Sequence, residues 1–482
     1  MATKYKLLPK NWNISSLTLA SFNLLTTHSL ESQNFNHMGI PHFLVIPYPV
    51  LGHVNPLMHL SQLLAKHGCK ITFLNTEFSH KRLNTTSGVG LDNLKGSEIK
   101  FVTLPDGLGP EDDRSDQKKV VFSIKSNMPT MLPKLIEDVN ALDVDNKITC
   151  IVVTMSMAWA LKVGNKLGIK GALLWPASAT SLALCDCIPR LIDDGIIDSY
   201  GIPFKKQEIL LSPNMPLMDT SNLPWRGHDK LHFDHIVHEM QTMTLGDWWL
   251  CNSTYDLEPA AFCISPRFLP IGPLMASESN KSSFWQEDTT CLEWLDQQPP
   301  HSVIYVSFGS LAVVEPNQFK ELALGLDFLN KPFLWVVRPS NDNKVNNAYP
   351  VEFHGSKGRI VGWAPQKKIL NHLAIACFIS HCGWNSTIEG VCGGIPFLCW
   401  PFAKDQLVNK SYICDVWKVG VGLDKDENGI ISKEEIRKKV EQLLGDEDIK
   451  ASSLKLKELT LKNIAKGGQS SKNVEKFINW AK

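Results

Sequence analysis

Charge of neither sign is in excess in this chain: its 482 residues carry 49 Lys and Arg against 49 Asp and Glu. Without a net field, nothing draws it toward nucleic acid or an anionic membrane surface. No apolar run reaches the roughly 18 residues that a membrane span requires, so no stable insertion is expected. Twelve cysteines are scattered along the chain with no C-x-x-C pair. That excludes a disulfide framework and reads as buried or free thiols in a reducing compartment. No G-x-G-x-x-G follows the first strand pattern, which disfavours a nucleotide-dependent oxidoreductase. Residues 1–37 contain no Arg. Their Ser content and low acidity fit a transit peptide but the absence of Arg does not, and a secretory signal is a weak reading, given the polar interruptions of "SSLTLASFNLL" and no clear cleavage site after it. They read as a disordered extension before a domain that starts after Met38.

What is present is a globular composition, 43% apolar and 20% charged, in a chain too long for one ordinary core. Two domains are therefore expected. "HFLVIPYP", "NPLMHLSQLLAKHG" and "CKITFLNT" read as strand, helix and strand, the opening of a doubly wound parallel sheet. "ITCIVV", "MAWALKVGNKLG" and "KGALLWP" repeat the pattern. A Pro- and Ser-rich stretch near residue 255 reads as a linker. A second alternation begins at "SVIYVSFGS" and continues through "PFLWVVR", "GRIVGWAP", "CFISHCG" and "PFLCWP". The boundaries predicted are an acceptor-side domain over 38–255, a linker over 256–290, a second α/β domain over 291–465, and a terminal helix over 466–482 packing back on the first domain.

"FISHCGWNSTIEGVCGG", Phe378 to Gly394, ends a strand and starts a helix, with Asn385 or Ser386 as the expected cap. Backbone N–H groups at such a turn bind anions. Gly383 permits close approach, His381 can donate to a phosphate, and Glu389 can accept from sugar hydroxyls. An ordinary capped helix fits this stretch equally well. His53, in "PYPVLGHVNP", lies between the first strand and first helix; alone it fits a helix-capping or core-edge histidine. "DKDENGIISKEE", Asp424 to Glu435, fits a calcium-loop pattern, but a strand-like segment precedes it and a turn is expected. The pairs Asp143/Asp145 and Asp446/Asp448 read as solvated turns. No metal site is expected.

Trp363 to Gln406, 44 residues, resembles the nucleotide-sugar signature of plant small-molecule UDP-glycosyltransferases. The likeness runs through "PYPVLGHVNP", "SFGS" and "GGQSS", and more narrowly resembles the family-83 group. The resemblance implies a GT-B fold, two facing Rossmann-like domains with a cleft between them. It implies that Trp363 stacks on uracil and that Ala364 and Gln366 contact the base or ribose. Glu389 would hold the ribose hydroxyls. His381, Asn385, Ser386 and Ser310, beside Gly383, would hold the diphosphate, and Trp384, Asp405 and Gln406 the sugar. Gln406 with Trp384 points to glucose. His53 would be the general base. At the position where the family carries an Asp beside that histidine, this sequence has Thr154, with Ser156 the nearest other polar residue.

The expectation is a cytoplasmic, monomeric, inverting glucosyltransferase. UDP-glucose is its co-substrate, it uses no cofactor, and its acceptor is a small hydrophobic plant metabolite. Pro105–Gly109, Met155–Trp159 and Ile188–Ile192 are the candidate acceptor-lining segments. The alternative, kept open by Thr154, is an impaired transferase-like protein that binds UDP-sugar or aglycone without efficient turnover. The sequons Asn252-Ser253-Thr254 and Asn385-Ser386-Thr387 fit a cytosolic site, since a glycan on Asn385 would block the anion site.

Overall fold

The computed structural model describes residues 5–6, 39–86, 99–227, 229–275, 287–310, 312–338 and 349–482. Seven parallel strands form the first sheet: β1 (His42–Ile46), β2 (Lys70–Thr76), β3 (Ile99–Leu104), β4 (Cys150–Val153), β5 (Lys170–Trp175), β6 (Trp248–Cys251) and β7 (Phe268–Pro270). Their spatial order is β7-β6-β5-β4-β1-β2-β3. Every residue of β1 is buried, because helices cover both faces of a parallel sheet and leave no solvated side. The chain runs outward from β1 through β2 and β3, then returns to place β4 on the other flank of β1. The topological switch point therefore lies between β1 and β4.

The second sheet repeats this plan with β8 (Val303–Ser307), β9 (Phe333–Val336), β10 (Gly358–Val361), β11 (Ile375–Ser380), β12 (Phe397–Cys399) and β13 (Gly420–Gly422). Its order is β10-β9-β8-β11-β12-β13, with the switch between β8 and β11. Open parallel sheets bind ligands beyond the carboxyl ends of their strands at such a switch. The two switch points face one cleft, which is the two-domain α/β architecture anticipated from the strand–helix alternation.

The Gln469–Ala481 helix buries Val474, Phe477, Ile478 and Ala481 in the core of the first sheet, with the Phe477 ring 5.4 Å from Phe43. Tyr5–Lys6 pair in parallel with Glu208–Leu210, which pairs antiparallel with Met218–Asp219. The rest of the 1–37 extension lies outside the described residues, as do 276–286 of the linker. The calcium-like segment is a turn between β13 and the Lys433–Gly445 helix, which Ser432 caps by accepting the Glu435 N–H at 3.2 Å. The ammonium of Lys439 sits 3.0 Å from Asp424 and 3.7 Å from Glu435, so a cation of the chain's own already bridges these two carboxylates.

Candidate functional site

The cleft between the sheets has a volume of about 1780 Å³. Beyond β1 the chain turns into the Leu51–Lys66 helix, and His53 occupies its first turn. Beyond β11 the chain turns at His381 into the Trp384–Gly393 helix. These two stretches, over 300 residues apart in sequence, touch: Asn385 Nδ2 donates to the Gly52 carbonyl at 3.2 Å. The neighbouring Trp384 Nε1 donates to the Asn252 carbonyl, just past β6, at 2.8 Å.

The cap differs from the sequence expectation. Gly383 is the N-cap, and neither Asn385 nor Ser386 is. Both lie in the first turn and are drawn elsewhere, Asn385 to Gly52 and Ser386 to Gln366 Nε2 at 2.9 Å. No side chain caps the helix, which leaves its first N–H groups for an anion. His381 packs between two glycines. A Cβ on Gly383 would lie 2.3 Å from its Nε2, and one on Gly309, whose φ is +70°, would lie 2.6 Å away. Burial pushes the His381 imidazole down to about 4, and the charge of Arg338 adds to the effect. A backbone hydrogen bond at Ser307 opposes the shift. Arg338, which the sequence reading passed over, ends the strand pattern "PFLWVVR". It donates to the carbonyls of Ser310 and Ala312 and so holds the loop after β8.

Trp363, Ala364 and Gln366 line the same end of the cleft. Gln366 Nε2 also donates to Glu389 Oε2 at 2.7 Å, while Gln366 Oε1 accepts from the buried Tyr305 hydroxyl at 3.2 Å. Glu389 is thereby fixed, and burial raises its carboxyl above the usual range, opposed by the Gln366 bond. Asp405 and Gln406 stand nearby. Asp405 accepts from Asn409 Nδ2 at 2.9 Å, and Gln406 Oε1 accepts from the Phe402 and Ala403 N–H groups at 2.8 and 3.1 Å. All twelve residues assigned to the nucleotide-sugar side, Ser310 among them, line this one cleft.

His53 faces the cleft from the opposite wall. Burial holds its imidazole down at about 4, helped by the Lys404 charge across the gap. Its ring packs edge-on to Tyr48 at 5.6 Å, and among the described residues its Nδ1 has no partner. Thr154 does not supply one. It is fully buried, and its Oγ1 accepts the Tyr48 N–H at 2.9 Å. Of the three candidate acceptor segments, only Met155 and Ser156 of the second line the cleft. Ile188 and Leu191 face the core instead, and Asp106 is held in an ion pair with Arg114 at 2.8 Å. On the His53 side the cleft is also lined by the Gln117–Leu142 and Lys230–Met243 helices, the expected acceptor wall, which no motif marked.

A cleft that joins a lone histidine to an uncapped helix, a buried carboxylate and an aromatic face suits transfer between a nucleotide sugar and a small molecule. Comparison with known proteins agrees. The family model for UDP-glucoronosyl and UDP-glucosyl transferase matches residues 224–463. UDP-glycosyltransferase 83A1 of Arabidopsis thaliana is 40% identical over 94% of this chain and 99% of its own. Linamarin synthase 1 of Manihot esculenta is 33% identical over 91% of this chain and 96% of its own. The crystal structure of Os79 from O. sativa in complex with UDP superimposes with a TM-score of 0.76 at 25% identity, covering 91% of this chain and 100% of that one. Similarity along nearly the whole chain, with two facing sheets and one cleft between their switch points, places the protein among the plant UDP-glycosyltransferases, as a glycosyltransferase enzyme of the GT-B fold.

Proposed function

We propose that the enzyme transfers glucose from UDP-glucose, with inversion, to an oxygen of a small metabolite. The observation that carries this reading is the contact of Asn385 with Gly52, which sets the segment Trp363–Gln406 against His53 across one cleft. Trp363 offers an aromatic face to uracil, and Glu389, fixed by Gln366, accepts from the ribose hydroxyls. The uncapped N–H groups after Gly383, with His381, Asn385, Ser386 and the Ser310 loop, receive the diphosphate. Trp384, Asp405 and Gln406 border the glucose. His53 Nε2 accepts the acceptor proton as the oxygen attacks the anomeric carbon opposite the leaving UDP. The bond to UDP breaks and a β-glucoside forms. The anion site takes up the charge that develops on the leaving group.

The reaction as written uses no metal, and every residue assigned to the site comes from one chain, in keeping with a monomeric enzyme. A cytoplasmic location fits the sequons: Asn252 is buried with its Oδ1 accepting the Leu274 N–H at 2.7 Å, and Asn385 faces the cleft. No helix among the described residues is long and apolar enough to cross a membrane. A second reading, binding without efficient turnover, is favoured by one observation, that His53 Nδ1 has no partner among the described residues.

Calorimetric titration with UDP-glucose and with NADH, followed by mass detection of glucosylated products from a panel of phenols, acids, alcohols and thiols, tests both readings. UDP-glucose binding with product supports transfer, and binding without product supports the second reading. Trp363→Ala is expected to weaken UDP binding by about 1–3 kcal/mol, the range for a lost stacking contact. Unchanged affinity in that variant counts against the assigned base site.

A further inference from the structure

The acceptor wall has a composition that the transferase reading alone does not explain. Among the described residues, the cleft lining drawn from residues 48–275 contains Lys118, Lys125 and four histidines, and no carboxylate. The three acids of the lining, Glu287, Glu389 and Asp405, all come from the other half of the chain.

Within this wall, four side chains form a closed hydrogen-bond array. Lys125 Nζ lies 2.6 Å from Glu239 Oε1 and 3.1 Å from His235 Nδ1. His235 Nε2 lies 3.1 Å from Ser156 Oγ, and the Ser156 N–H donates to Glu239 Oε2 at 2.8 Å. Glu239 is only 1% exposed and stands behind the wall; Lys125, His235 and Ser156 face the cleft.

The chemistry of each group fixes the direction of every bond. An ammonium only donates, so His235 Nδ1 accepts from Lys125 and the ring proton sits on Nε2. That proton goes to Ser156 Oγ, and the serine's own proton is left pointing outward. Burial, and next the Lys125 charge, lower the His235 pKa, in keeping with a neutral ring. Ser156 adopts a φ of +72°, a conformation uncommon for a residue with a Cβ, and its bond to Glu239 holds it there. The array thus turns two donors toward the cleft, the Ser156 O–H and the remaining N–H of Lys125. Val121, Met155 and Ile236 surround them with apolar surface.

We propose that this wall recognises a carboxylate on the acceptor, so that the enzyme's acceptors are small organic acids bound as their anions, with an apolar body beside the charged group. The inference rests on the transferase reading and names the substrate class of that site. Two adjacent donors match the two oxygens of a carboxylate, and the one acid of the array, Glu239, is buried behind the Lys125 ammonium and does not line the cleft. A neutral ester or amide of the same shape would offer the two outward donors only a neutral acceptor, and charge-assisted hydrogen bonds are the stronger ones.

The test uses the full chain saturated with UDP and a panel of aromatic and aliphatic carboxylic acids, each paired with its methyl ester. Dissociation constants are measured by calorimetry. Acids are expected to bind about tenfold more tightly than their esters. Ser156→Gly removes the hydroxyl where the backbone suits glycine. Lys125→Met combined with Glu239→Gln removes the ammonium without stranding a buried acid. Each variant should erase the acid preference, leave ester binding within about twofold and leave UDP affinity unchanged. If no acid in the panel outbinds its ester, or if the variants weaken acid and ester alike, the proposal is overturned. Failure of UDP to bind the unmodified chain would instead remove the transferase reading beneath it.

Discussion

At the scale of single residues, the isolation of His53 sets the chemistry. For Nε2 to act as base, the ring proton must sit on Nδ1, and that atom is buried without an acceptor among the described residues. An unsatisfied buried ring nitrogen costs about 1–3 kcal/mol whether or not it carries the proton, so no partner selects the productive tautomer. Lys404 adds a positive field where an imidazolium must form. Thr154 relieves neither difficulty, because its hydroxyl is committed to the Tyr48 N–H. The penalty falls hardest on acceptors that hold their proton tightly. Alcohols need most help, phenols near pKa 10 need less, and carboxylates arrive ionised. Thr154→Asp, one bond longer, should raise turnover most for the least acidic acceptors, by less than the roughly 10⁴-fold that a comparable Asp is worth in serine proteases. Its charge also favours the imidazolium. The acidic limb of kcat/KM, set near 4 by the depressed His53 value, should therefore move upward toward the ordinary 6.5. Turnover of both proteins across acceptors of graded pKa, and their pH profiles, check this. An equal gain on all acceptors, or an unmoved limb, would mean that residue 154 does not reach His53.

At the scale of elements, the Trp384–Gly393 helix starts from Gly383 with no side-chain cap bond among the described residues, which is what the proposed diphosphate site requires. Gly383 has φ −63° and ψ 140°, values open to any residue, so its glycine is demanded by the His381 ring and not by the backbone. Gly383→Ala should therefore displace His381 without backbone strain and weaken UDP binding at least tenfold, about 1.4 kcal/mol, with little loss of melting temperature. Retained affinity would show that the ring position is immaterial to the nucleotide. The same helix marks the limit of sequence reading. "HFLVI", "CFIS" and the other apolar runs announced their strands, since a strand covered on both faces must be apolar throughout. The cap was misassigned because Asn and Ser prefer that position locally, while Gly52 and Gln366 recruit them from elsewhere in the fold. The acceptor wall was not legible at all. Lys125 and His235 are 110 residues apart, and no spacing rule connects two helices that meet only when the sheet closes between them.

At the scale of the whole molecule, a site shared between two sheets is only as well defined as their relative placement. Several bonds fix that placement away from the substrates. Thr180 Oγ1 and the Tyr412 hydroxyl lie 2.7 Å apart, and Trp417 Nε1 donates to the Leu257 carbonyl at 2.9 Å. Glu258, fully buried, ties the start of the Ala179–Asp186 helix to this joint by accepting the Ala179 and Thr180 N–H groups at 2.9 and 2.8 Å. The most distant clamp is the Gln469–Ala481 helix, where chain that has completed the second sheet returns to cover the first. Phe477 is fully buried against Phe43 of β1, the strand whose carboxyl end delivers His53. Nearby, Asn473 Nδ2 donates to the Pro270 carbonyl at 2.7 Å. Phe477→Ala should cost about 3–5 kcal/mol, the usual price of emptying a buried aromatic site. The loss should be local to the first domain, because the cavity opens in its core and not in that of the second sheet. Hydrogen exchange should show β1 and β2 losing protection while β8 and β11 keep theirs. UDP, which the proposed reading assigns to the second domain, should bind with unchanged affinity, while turnover falls as the proposed base His53 loses its fixed distance from the sugar. If β8 and β11 lose protection together with β1, the two domains unfold as one unit and the returning helix is a part of a common core.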